Sequence, residues 1–353
     1  MNFASDNTAG IAPKILDAMV RASEGFALGY GNDETTKRVE RRLAELFEHE
    51  AAVFLVPTGT AANAIALAQL APPWGAVFCH AESHIVTDEA GAPEFFGGGL
   101  KLVELAGEGG RIPLDTLRAA LARYVGHRPH EILPSALSLT QPTEAGTIYR
   151  PEEIARLADI AHERGLAVHM DGARFANALV RLGVTPAELT WKAGVDVLSF
   201  GATKGGAMAA EAIIFFDPRR ATEMPERRKR GGHLLSKHRF VAAQMDAFLA
   251  GDHWLDLARH ANGLADRLAS RLAAAGVQPV WPVDANLVFV VLPKVADARL
   301  RAAGASYYVR QSESLPAGMT IGADRMLVRL VTSFATSEDE VDRFADLVRT
   351  LVA

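Results

Sequence analysis

The chain has one cysteine, Cys79, in 353 residues. A single thiol cannot close an internal disulfide, and placed after Ala76-Val-Phe78 it reads as a buried structural residue. No metal site is expected. An excess of charge of one sign is also missing. Lys and Arg number 37 against 42 Asp and Glu, a formal net charge of -5, so electrostatics offers no case for nucleic acid or an anionic membrane as partner. Long hydrophobic runs are absent too. The composition is 49% hydrophobic, but Pro, Gly, Asn or Gln interrupts each apolar stretch before the roughly 20 residues a bilayer requires. Met1-Asn-Phe-Ala-Ser-Asp-Asn7 has neither a basic nor an apolar segment, so no signal peptide is expected and a cytoplasmic location is the default. Neither an internal repeat nor a low-complexity segment is found.

What the chain does contain is enough apolar residues for a large core, and a length that favours two domains over one. Helical and strand patterns alternate to about residue 245. Val39, Leu43, Leu46 and Phe47 recur at helical spacing,. Pro151 with Glu152 and Glu153 suits a first helical turn, followed by the stripe Ile154, Leu157, Ala158, Ala161 and a stop at Gly165,. The apolar run Leu166–Met170 leads to Asp171, Thr185-Pro186 opens a short helix closed by Gly194, and a second run, Val195–Phe200, leads to Lys204. This order predicts an α/β fold with a mostly parallel sheet. Near residue 250 the pattern changes to a long helix ending at Gly276, strands at Asn286–Leu292 and Met326–Val331, and a last helix whose Ser337 and Glu340 have capping-box spacing,. The expected division is an N-terminal arm and large domain over 1–247 and a small α+β domain over 248–353.

In a βαβ unit, Asp171 and Lys204 both arrive at one edge of the sheet, where open α/β folds bind ligands. An amine able to form a Schiff base and a carboxylate able to hold a pyridinium nitrogen are what pyridoxal 5'-phosphate needs from a protein. Two further parts of such a site have candidates. Thr58-Gly59-Thr60 precedes the helix-like Ala61–Leu70 and can face a phosphate with backbone N–H groups. His84 lies in a polar segment and can stack on a ring. Each of these has an ordinary reading alone: Thr-Gly-Thr as capping, Asp171 as an N-cap, His84 as a hydrogen-bonded loop histidine. Lys204, flanked by Gly205-Gly206-Ala207, has little apolar surface to cover with its stem,.

Several segments carry a wider likeness: Phe3-Ala-Ser-Asp-Asn7, Tyr30-Gly-Asn-Asp33, Thr58-Gly-Thr-Ala-Ala-Asn63, Asp88-Glu-Ala-Gly-Ala-Pro-Glu-Phe95, His169-Met-Asp-Gly-Ala-Arg174 and Ser199-Phe-Gly-Ala-Thr-Lys204. Over nearly its whole length the chain resembles the low-specificity L-threonine aldolases, pyridoxal-phosphate enzymes of aspartate-aminotransferase fold type I. The resemblance implies retro-aldol cleavage of L-threonine, L-allo-threonine and related β-hydroxy amino acids to glycine and an aldehyde. It also implies that Lys204 bonds the cofactor, Asp171 partners its ring nitrogen, His84 stacks on the ring, and Thr58, Gly59 and Thr60 hold the phosphate. Arg174 and Arg329 would bind the substrate carboxylate, Arg174 also touching the cofactor, with Ser5 assisting. His84 is the first candidate for the group acting on the β-hydroxyl. His130 matches a second such histidine, with His127 as the alternative should the alignment slide.

The same resemblance gives a homotetramer made of two dimers with active sites at the dimer interface. Within Arg227–Lys237, otherwise readable as a solvated basic loop, Arg230 and Lys237 would approach the phosphate across that interface, Lys229 replacing Arg230 under a one-residue shift. The sequence departs from the commoner family pattern at Thr203-Lys204, where many members have Ser-Lys, and at Gln141-Pro-Thr-Glu144, where many read Glu-Asn-Thr. Glu89 and Glu94 read by default as solvated surface, and proximity in sequence makes Glu89 also a candidate partner of His84. Competing readings are another fold type I reaction, such as transamination, hydroxymethyl transfer or phenylserine cleavage, and a cofactor-binding regulator without turnover. A D-threonine aldolase is disfavoured, because that activity belongs to a barrel-type fold.

Overall fold

The computed structural model describes residues 1–352. Seven strands form the larger sheet: β1 (Ala52–Val56), β2 (Gly75–His80), β3 (Lys101–Leu105), β4 (Leu133–Thr140), β5 (Ala167–Gly172), β6 (Val197–Gly201) and β7 (Glu211–Phe215). Their order across the sheet is β1-β7-β6-β5-β4-β2-β3. The five from β3 to β6 are parallel neighbours, while β7 runs antiparallel to both β1 and β6. Strands β5, β6 and β7 are buried at every position, which requires cover on both faces and explains their nearly unbroken apolar sequence.

One of those covers is the helix Gly59–Leu70, whose residues from Ala61 to Ala68 are all buried. Alanine at five of those eight positions lets the backbone lie close to β4 through β7 at minimal side-chain entropy cost,. The helices Glu34–Leu46 and Pro151–Glu163 form as their patterns predict. Asp33 caps the first by accepting from the Thr36 N–H at 2.9 Å, and Glu153 accepts from the Arg150 N–H in the second at 2.8 Å. The segment from Thr185 to Gly194 differs from expectation. It is a series of turns ending in a 3-10 helix, Trp191–Ala193, because so short a segment gains little by propagating a helix and is fixed by the buried Ala187 and Leu189,.

The second sheet comprises β8 (Leu287–Pro293), β9 (Tyr308–Arg310) and β10 (Arg325–Val331) in the antiparallel order β8-β10-β9. It packs on the helices His253–Ala274 and Glu338–Val352. Ser337 and Glu340 exchange the capping-box bonds at 3.3 Å. The long helix joins both cores: Trp254 and Ala258 belong to the larger, Leu264, Leu268 and Leu272 to the smaller. Although it begins the chain, Phe3 is buried in the smaller core, edge-on to Phe344 at 5.1 Å. Its N–H donates to the Ser306 carbonyl and its own carbonyl accepts from Val331, and this pairing carries Ser5 and Asp6 into the space between the two sheets.

Candidate active site

Strands β4, β5 and β6 end side by side, and the chemistry-bearing residues gather at those carboxyl ends. Asp171, 4% exposed, is the penultimate residue of β5. One carboxylate oxygen accepts the Ala173 N–H at 3.0 Å and the other accepts Asn63 Nδ2 at 2.8 Å. The same Asn63 amide donates to Glu89 Oε1 at 2.9 Å, and that oxygen also receives His84 Nδ1 at 2.8 Å. Burial alone would lower the His84 pKa, but the Glu89 bond and the charges of Asp171 and Glu144 outweigh it and raise it above the ordinary imidazole value. Glu89 is itself pushed up by burial, offset in part by His84 and Asn63. Under this layer His169 bridges Ser138 and Ser199, both at 2.9 Å, and burial holds its pKa down to about 4. A neutral histidine thus ties β4, β5 and β6 together.

Lys204 follows β6 on a tight turn. A β-carbon added at Gly201 would lie 2.6–2.7 Å from the backbone of Ala173, so glycine there allows the lysine turn to sit directly against the Asp171 turn. No ion pair or side-chain hydrogen bond holds Lys204 among the described residues. It lines a cleft of about 450 Å³ together with His84, Arg174, Arg329, Ser5 and Glu144.

At the start of Gly59–Leu70, Thr58 accepts the Ala61 N–H at 3.1 Å. The N–H groups of Gly59 and Thr60 make no hydrogen bond among the described residues, and the first turn carries no acidic side chain. A β-carbon at Gly59 would meet nothing within 4 Å, so the space before the helix is open to an anion favoured by the helix dipole. An unpaired amine, a buried carboxylate and an open helix N-terminus are the donor set that pyridoxal phosphate requires, so the residues present fit it.

The two arginines differ sharply. Arg174 forks onto Asp6, with Nε 2.6 Å from Oδ2 and Nη2 3.0 Å from Oδ1. Asn286 adds a bond to the same carboxylate at 3.2 Å. Burial would raise the Asp6 pKa, but Arg174 and Lys204 overcome this and lower it. Arg329, 7% exposed, has no carboxylate partner among the described residues. Its Nη2 donates to the Ala4 carbonyl at 3.2 Å, its Nε is unbonded, and Tyr308 lies 5.3 Å from its guanidinium carbon. Burial first, then the neighbouring Arg174 and Arg310, pull its pKa down to about 10.

The Asp6–Arg174 pair carries a stability prediction. Because the folded-state pKa of Asp6 is depressed, the pair's contribution is complete above the ordinary carboxylate range and is lost as pH falls through the lowered value. Asp6→Asn at neutral pH strands a buried guanidinium, and urea unfolding is expected to show a loss of about 3 kcal/mol. An unchanged midpoint at unchanged slope would contradict the pairing.

Other expected residues lie elsewhere. His130 is exposed on the loop before β4, its ring 4.8 Å from that of His127. That loop stands at the start of β4, whereas the cleft is at its end, so neither histidine faces the cleft. The turn after β4 instead brings Glu144 there, held in place by reciprocal bonds between Gln141 and Tyr149 at 2.8 and 2.9 Å. Arg230 and Lys237 are exposed and do not line the cleft of their own chain. Lys229 lies 4.4 Å from the ring centre of Tyr30. Sequence reasoning missed Asp6, Asn63 and Glu144. Asn63 alone left a signal, as an amide within a helix otherwise apolar from Ala61 to Ala68.

Comparison with known proteins agrees with this geometry. The beta-eliminating lyase family matches residues 2–294. Low-specificity L-threonine aldolases of a Pseudomonas species and of Pseudomonas aeruginosa are 44% and 46% identical over 308 residues, covering 87% of this chain and 88% of each relative. The solved structure of a Leishmania major threonine aldolase superposes with a TM-score of 0.92 at 30% identity, covering 100% of this chain and 99% of that one. A serine palmitoyltransferase from Sphingomonas wittichii, at 16% identity and a TM-score of 0.72 over 99% of this chain and 86% of its own, shares the fold alone. Strand order, cleft chemistry and these similarities converge: the chain belongs to the beta-eliminating lyase family.

Proposed function

We propose that this protein is a pyridoxal-phosphate-dependent low-specificity L-threonine aldolase, cleaving L-threonine and L-allo-threonine to glycine and acetaldehyde. One observation carries the reading: an unpaired lysine and a buried guanidinium without a carboxylate partner line one cleft, next to His84, whose charge neighbours include the buried carboxylate of Asp171. The activity of the Pseudomonas and Leishmania relatives supports it.

Lys204 would hold the cofactor through Nζ, Asp171 would partner its ring nitrogen, and Gly59 and Thr60, with Thr58, would hold its phosphate. Arg174, fixed by Asp6, borders the cofactor and the substrate carboxylate. The bound cofactor supplies an electron sink for the pair released when Cα–Cβ breaks. The remaining work belongs to side chains. Arg329 clamps the substrate carboxylate with its free fork, assisted by Ser5, and so sets which Cα bond faces the ring. Glu89 accepts the His84 Nδ1–H, leaving Nε2 of the neutral ring with a lone pair for the β-hydroxyl proton,. Glu144 is the second acceptor facing that hydroxyl, in the place expected for a histidine. Lys204 Nζ would return a proton to Cα.

Because His84 acts in its neutral form and Glu89 raises its pKa, activity is lost as pH falls through the raised value. Glu89→Gln is expected to move the acid limb of kcat/KM to lower pH by about one unit. A limb that stays in place would remove Glu89 from this role.

The proposed assembly is a cytoplasmic homotetramer of two dimers, with Arg230 and Lys237 of one subunit approaching the phosphate end of its neighbour's site. Phe26 and Leu28, 108% and 71% exposed, support it. They belong to the loop that packs against Ser236 and Arg239 beside those cations. Among the described residues no helix is long and apolar enough to cross a membrane. Acetaldehyde release from L-threonine, L-allo-threonine and D-threonine tests the function: turnover of both L-substrates with an inert D-substrate supports it, and inert L-substrates overturn it.

A further inference from the structure

One buried acid beside the lysine has no part in the roles above. Glu211 opens β7 and stands opposite Val56 of β1 on one side and Gly201 of β6 on the other. The first neighbour leads into Thr58–Thr60 and the second into Lys204. Glu211 is 6% exposed. Its Oε2 accepts the Ala202 N–H at 3.1 Å. The Thr203 hydroxyl accepts the Ala210 N–H at 3.2 Å and is one of the groups that pull the Glu211 pKa down. The two residues before Lys204 are thus tied to the start of β7, Ala202 through the Glu211 carboxyl and Thr203 through the Ala210 N–H.

The charged groups facing Glu211 are Lys204, from the turn after β6, and Asp171, from the end of β5. Strand β1 and the helix Gly59–Leu70, which also pack on β7, contribute no titratable side chain. Arg228, beside β1, donates to the Leu55 carbonyl, and Arg219 and Arg220, past the far end of β7, pair with Asp217 and Asp196. Burial pushes the Glu211 pKa up to about 7, against the downward pull of Thr203, Lys204 and the Ala202 N–H. A carboxyl so placed is costly when ionised unless a nearby positive charge balances it.

We propose that Glu211 is a positioning residue for Lys204: it anchors the turn that carries the lysine and supplies the negative charge that sets the proton affinity of the lysine nitrogen when the cofactor is bound. The inference rests on the assignment of Lys204 as the cofactor-bonding lysine. It explains why a buried acid begins the one antiparallel strand of the larger sheet, within reach of both turns that grip the cofactor.

Glu211→Gln, close in shape and uncharged, tests this in the cofactor-loaded protein. The pH midpoint of the absorbance change of the cofactor bound at Lys204 is expected about one unit lower than in the parent. A Glu211 that merely holds structure would change stability and leave the midpoint in place, and that result overturns the proposal. A second measurement needs no change at Glu211. Coupling between two sites is reciprocal, so infrared titration of the buried carboxyl is expected to show a higher midpoint in Lys204→Ala than in the parent. Equal midpoints overturn the proposal. A parent that forms no lysine-bound chromophore overturns the assignment of Lys204 itself, a failure distinct from an unmoved midpoint.

Discussion

Lys204→Ala abolishes acetaldehyde release from L-threonine, with kcat falling by at least about 10⁴-fold. Two losses combine. In the proposed mechanism the variant lacks the covalent anchor for the cofactor at the end of β6, and it lacks the basic nitrogen that returns a proton to Cα. General acid–base catalysis alone is worth roughly 10²–10⁴-fold, and loss of orientation adds to it. Because Lys204 makes no ion pair or side-chain hydrogen bond among the described residues, its removal breaks no such contact. The variant should therefore keep the parent's fold, read as an unchanged circular dichroism spectrum. Borohydride treatment is expected to fix the cofactor to the parent and not to the variant. Turnover within about tenfold of the parent would exclude Lys204 from the chemistry.

Arg329→Gln is expected to lower kcat/KM by roughly 30- to several-thousand-fold, corresponding to about 2–5 kcal/mol for one partner of a buried, hydrogen-bonded charge pair. The guanidinium is buried without a carboxylate and keeps Nε free, so in the proposed role its charge is costly until a substrate carboxylate arrives. The stability consequence has the opposite sign from that of Asp6→Asn. Removing an unpaired buried charge leaves the unliganded protein as stable as the parent or more so. Arg329→Lys recovers only part of the activity, because an ammonium cannot reproduce the two parallel N–H donors of the fork. Arg329→Gln with unaltered kcat/KM would place the carboxylate elsewhere in the cleft.

The sheet and its functional edge are legible in the sequence because buried parallel strands are apolar throughout and stop abruptly. The runs ending at Asp171 and Lys204 therefore mark both the strands and the edge where they end. Less legible are pairs made at long range. Asp6 and Arg174 are 168 positions apart, and no local pattern connects an acid in an N-terminal arm to an arginine after β5. The same limit hides Asn63, which bridges Glu89 and Asp171 because its helix crosses the sheet face rather than because of its neighbours in sequence. His130 shows a different limit. A histidine before a strand and a residue after it lie at opposite edges of the sheet, and a slide between His130 and His127 stays at the same edge. Glu144, on the turn past β4, occupies the functional edge instead. The direction of β7 is also hidden by the alternation of strand and helix, which suggests another parallel strand. Only residues 202–210 separate Gly201, at the end of β6, from Glu211, at the start of β7, too few for a crossover helix.

The most direct test is the mass balance of cofactor-loaded protein incubated with L-threonine in the absence of a keto acid or a folate. The account expects glycine and acetaldehyde in one-to-one ratio through many turnovers. Accumulation of a 2-oxo acid with conversion of the cofactor to its amine form, or consumption of threonine without acetaldehyde, would contradict it.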